Sequence, residues 1–98
     1  MKEQEITVLL KLSLQRALLG AIYPAIRAIA YEFNELKKLK IVFYLDREPT
    51  DDDYESISDV CAEVLGDIEF QKIDEICEYT TKSFSELEPN NFVYLRKE

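Results

Sequence analysis

Leu39-Lys40-Ile41-Val42-Phe43-Tyr44-Leu45-Asp46 is the stretch that decides the fold. Leu39, Ile41, Phe43 and Leu45 alternate with Lys40, Val42, Tyr44 and Asp46, and a period of two is the period of a strand. A polar turn, Asn34 to Lys38, separates it from residues 25–33, whose β-branched and aromatic content suits another strand. The short connection makes the pair an antiparallel hairpin. Tyr23-Pro24 marks where the first strand can start, because a residue before proline prefers extended geometry.

Outward from the hairpin the period changes to that of helices. Residues 3–19 place Ile6, Leu9, Leu10, Leu14, Ala17 and Leu18 on one stripe, with Glu3 and Glu5 at the positive N-terminal end and Gly20 as the stop. A second ridge, Val8, Leu12 and Leu19, runs along the other side. Two stripes predict a helix buried deeply on both sides within its domain, with pairing to another chain as the alternative. After the hairpin, Thr50 is a fair N-cap, Asp53 falls where a capping box places its acid, and Asp51 and Asp52 suit the dipole of the first turn. From there Tyr54, Ile57, Val60, Cys61, Val64 and Leu65 form one apolar stripe, opposite Glu55, Asp59 and Glu63, and Gly66 is expected to end the helix.

Residues 68–80 read as a third strand with mixed alternation, which a bulge near Gln71-Lys72 would reconcile. A loop over 81–91, ending Pro89-Asn90-Asn91, precedes a short last strand from Phe92 to Leu95. The expected fold is one α+β domain over residues 1–98: two helices on one face of a four-stranded, mainly antiparallel sheet, in the order α-β-β-α-β-β.

Composition limits the chemistry. The chain has no histidine, so Ser-His-Asp, Cys-His and histidine–metal sites are excluded. Its only two glycines, Gly20 and Gly66, form no phosphate-cradling loop. Cys61 and Cys77 make no disulfide framework and read as small, reduced core residues. An EF-hand loop counted from Asp51 fails, with Ser56 where glycine is required and Ala62 where a bidentate acid is required. No cofactor and no metal are expected, and no enzyme.

With 20 acids against 12 bases, the net charge of −8 disfavours nucleic acid and anionic membranes as partners and favours a basic protein. The start Met1-Lys2-Glu3-Gln4-Glu5 carries acid where a signal peptide would carry base, and no apolar run reaches the ~20 residues of a membrane span, so a cytoplasmic location is expected. The acids concentrate at one corner: Asp46, Glu48, Asp51, Asp52, Asp53 and Glu55. Tyr44 shares the parity of Asp46, so both point away from the helices, onto a sheet face that is either merely solvated or a binding face. Glu75, Glu78 and Tyr79 form a second candidate group.

Leu9–Gly20, Ile41–Asp46, Asp51–Ser56 and Val93–Glu98 together resemble a group of short acidic bacterial proteins, some of them similar to immunity proteins of contact-dependent growth-inhibition and related toxin systems. The resemblance spans almost the whole chain, and its motifs are structural. It implies a small, non-catalytic cytosolic inhibitor that binds a cognate toxin domain, often a basic nuclease, with acidic side chains in place of substrate phosphates. The alternative is a homodimeric adaptor built on Val8, Leu12 and Leu19.

Overall fold

A computed structural model describes residues 2–89 and 91–98, so the expectations at Met1 and Asn90 lie outside it. Helix α1 (Glu3–Ala17) is followed by strands β1 (Ile26–Asn34) and β2 (Lys38–Leu45), helix α2 (Asp51–Asp67), strand β3 (Lys72–Tyr79), a short 3-10 turn (Phe84–Glu86) and strand β4 (Asn91–Leu95). The sheet order is β3-β2-β1-β4. β1 pairs antiparallel with both β2 and β4, but β2 and β3 are parallel, so the sheet is mixed rather than mainly antiparallel. The reason lies in the connection. A whole helix separates β2 from β3, which is what a parallel crossover needs and a hairpin does not.

The hairpin turns as the polar stretch predicts, with Glu35 at a positive φ of 51° and the Lys37 amide donating to the Asn34 carbonyl. Gly20, at φ 77°, supplies the left-handed turn after α1. Gly66 does not end α2, which runs on to Asp67 and stops where Ile68 turns extended. The expected bulge in the third strand is absent. β3 begins at Lys72 and pairs with β2 without a register shift, while Ile68 and Phe70, both buried, belong to the connection. The break in alternation is therefore a change of element.

Leu39, Ile41, Phe43 and Leu45 do face the helices, where they pack with Ile6, Leu10, Leu14, Ile57, Val60 and Val64. Truncating a residue such as Phe43 to alanine in this core would cost about 3–5 kcal/mol. The two helices run antiparallel: Ser13 of α1 donates to Asp67 at the end of α2 at 2.6 Å, and Tyr23, just past α1, donates to Asp53 at its start. Asp67 sits where the helix dipole disfavours an acid. The Ser13 hydroxyl and Arg16, 2.8 Å away, offset that.

Two expectations about surfaces are corrected. The α1 ridge is not sandwiched; Val8, Leu12 and Leu19 are 58, 53 and 81% exposed. The other face of the sheet is not open. The segment after β3 crosses it as a strap, and Ala28, Ala30, Val42 and Tyr44 are buried there with Leu87, against Phe84 and Phe92. The two alanines leave room for the strap to approach. Arg27, at an irregularity in β1, fastens it by donating to the carbonyls of Thr80 and Lys82, and its guanidinium lies 5.1 Å from the Phe84 ring.

Candidate partner-binding surface

The corner between β2 and α2 is built around Asp53. Its carboxylate accepts from Arg47 at 2.6 and 3.1 Å, from the Thr50 amide at 2.7 Å and from Tyr23. Arg47 foremost holds the Asp53 carboxyl far below the usual carboxylate range. Asp53 is 1% exposed, so its charge is consumed in the fold. Tyr44 is likewise 1% exposed, and its hydroxyl donates to the Glu88 carbonyl under the strap. Burial pushes its pKa up to about 12. Neither of these two expected contact residues is presented at the surface.

The other eight are exposed: Asp46, Glu48, Asp51, Asp52, Glu55, Glu75, Glu78 and Tyr79. They do not form one cluster. Asp46 points toward the tail of the chain and pairs with Arg96 at 2.7 Å, while Arg96 also binds Glu98. Glu98 in turn chelates Arg27, whose hydrogen bonds draw its carboxyl down to about 2. Asp46 is thus largely neutralised. Among the described residues Glu48, Asp51, Asp52, Glu55, Glu75 and Glu78 have no ion pair. α2 lies alongside β3, with Tyr54 donating to the Cys77 carbonyl at 3.4 Å and Ser58 to Glu75 at 2.6 Å. The first turn of α2 and the exposed acids of β3 therefore belong to one side of the molecule.

The charge is more concentrated than the corner alone suggests. From Glu48 to Gln71 the chain holds nine acids and not one lysine or arginine, while the remaining residues carry 11 acids and 12 bases. The whole net negative charge thus resides in α2 and its flanks. Asp59 and Glu63, exposed on the flank of α2 that faces the end of α1, line a hollow with Leu19 and Tyr23; they carry the negative charge across the helix and were not among the expected contacts. The signal that would have found them is the missing cation, not the local density of acid. Tyr54, 45% exposed, and Tyr79, 44% exposed, add aromatic surface beside the acids.

A family model, described as the MafI2 immunity protein, matches residues 7–98. The chain belongs to that family. As a MafI2 immunity protein it falls among the immunity proteins of polymorphic toxin systems, whose membership implies binding to a cognate toxin protein. No curated protein matches the chain. The family match covers the acidic segment, all of α2 and α1 from Thr7 onward, so the surface described above lies within the matched region.

Proposed function

We infer that this MafI2 immunity protein neutralises its toxin by covering a basic surface with the α2 side of the molecule. The observation that carries the reading is the cation-free stretch from Glu48 to Gln71, presented on one helix and its flanks. A nuclease-type toxin, whose groove must attract phosphates, is the partner such a face complements, and opposite charge also speeds capture. Glu48, Asp51, Asp52, Glu55, Glu75, Glu78 and Tyr79 are the contacts, joined by Asp59, Glu63 and Tyr54. We propose the cytoplasm as the place of the encounter, a compartment in which two buried thiols such as Cys61 and Cys77 stay reduced.

The test is direct. The toxin domain encoded beside this chain is purified and titrated with it, and its nuclease activity is followed. Stoichiometric binding with loss of nuclease activity is expected. A toxin that binds yet acts on something other than nucleic acid removes the nuclease assignment; failure to bind removes the partner.

The exposed ridge Val8, Leu12 and Leu19 supports a second mode, pairing of two chains through α1. From Ile6 to Tyr31 the chain has no acid, so α1 itself adds no like charge to such a contact, although Asp59 and Glu63 of α2 lie beside Leu19. Sedimentation decides: a dimer that Leu12→Glu returns to monomer supports this mode, and a strict monomer excludes it.

A further inference from the structure

We propose that the partner adds a β-strand to the outer edge of β3, using a basic extended segment of the toxin. This rests on the immunity reading and specifies how the surface is used.

β3 is the edge of the sheet, pairing with β2 alone. The Thr80 amide donates to the Leu45 carbonyl, which fixes the phase: backbone groups at even positions point to β2. Strand alternation then turns the N–H and C=O groups of Ile73, Glu75, Cys77 and Tyr79 outward. The bond from Tyr54 to the Cys77 carbonyl agrees with that phase. Among the described residues no other backbone group pairs with these outward positions.

Sheet edges are normally guarded by shortness, proline, a bulge or lysine. The opposite edge fits that pattern. β4 is five residues long, its register with β1 slips, and a charged tail follows. β3 is eight residues long, without proline, glycine or register shift. Its one lysine is the first residue and Asp74 is balanced by Lys38 at 2.9 Å, but from Glu75 on the charges of the strand are acidic and without an ion pair among the described residues. Glu75 stands on the helix side, Glu78 on the strap side, and the acids of α2 rise above. A second copy of β3 would bring these acids against their own kind, whereas a strand bearing lysine or arginine satisfies both backbone and charge. Tyr54, at 3.4 Å from the Cys77 carbonyl, would give up that long bond to the incoming strand and, with Tyr79, supply anchoring surface at the rim.

Residue-resolved amide exchange on the complex with the adjacent-frame toxin domain, made inactive, tests this. On binding, the amides of Ile73, Glu75, Cys77 and Tyr79 should gain protection in alternation, the even-numbered amides between them being already paired. Glu75→Pro removes one outward donor without touching the β2 ladder. It should weaken binding by about tenfold beyond Glu75→Gln, which removes charge alone. Binding without the alternating protection overturns strand addition but leaves the immunity reading intact, whereas absence of binding overturns that reading as well. The same alternating protection appearing in the free protein with rising concentration would assign the edge to a second copy and overturn the toxin as occupant.

Discussion

Arg47 grips both oxygens of Asp53, closing the corner between β2 and α2 with a carboxylate that no solvent reaches. The pair turns what looks like one more surface acid into a structural joint.

Asp53→Asn should therefore destabilise the protein by about 1–3 kcal/mol, a loss readable in urea unfolding. Because the folded carboxyl lies below its unfolded value of about 3.9, its contribution is fully present above that value and is lost as pH falls through the folded pKa. The gap between wild type and variant should thus be widest at neutral pH and narrow in acid. A gap that widens in acid would mean that the ion pair is not the source of the effect.

Replacing Glu48, Asp52 and Glu55 together by lysine should slow toxin association and weaken binding by at least about tenfold at low salt, less as salt rises. Asp46→Lys should do less to the interface, because Arg96 already balances that acid, and more to stability. Stopped-flow association rates across ionic strength, with urea midpoints, separate the two. Equal rates for the triple variant and wild type would remove the α2 face from the interface.

Tyr44→Phe should cost about 0.5–1.5 kcal/mol, since it deletes the hydroxyl that holds the Glu88 carbonyl. Amide exchange over residues 81–89 should quicken while toxin affinity stays as it was. A large loss of affinity would return Tyr44 to the binding surface.

Both thiols should be inert in the native state and react together on unfolding. Cys61 is 1% exposed with its pKa pushed far up by burial, and burial raises that of Cys77 to about 11. Titration with a thiol reagent, with and without urea, checks this; fast native labelling of either would show that the core opens.

Much of the fold was legible because it follows from short-range patterns. The alternation of Leu39 to Leu45 set which side of β2 carries the core, and Thr50 with Asp53 marked the start of α2. Direction of pairing was not legible at β3, because its mixed parity came from Ile68 and Phe70, which pack without being in the strand. The strap was also hidden. Nothing local to residues 81–89 says that they will cover Ala28 and Tyr44, since that contact depends on small residues far away in the chain, Ala28 and Ala30. For the same reason Tyr44 read as a surface residue. Asp53 was read correctly as a helix-start acid, but its burial depends on Arg47 and Tyr23 converging on it.

α2 carries a cost as well as a charge. Asp51, Glu55, Asp59, Glu63 and Asp67 follow one another at intervals of four, and like charges so spaced oppose the helix by about 0.2–0.5 kcal/mol per pair. Among the described residues only the last of them is in an ion pair. The unbound molecule is thus held together against a tension of its own, which a basic partner of the kind proposed would relieve. Added salt should steady the lone protein and loosen the complex, so that the two respond to ionic strength in opposite directions.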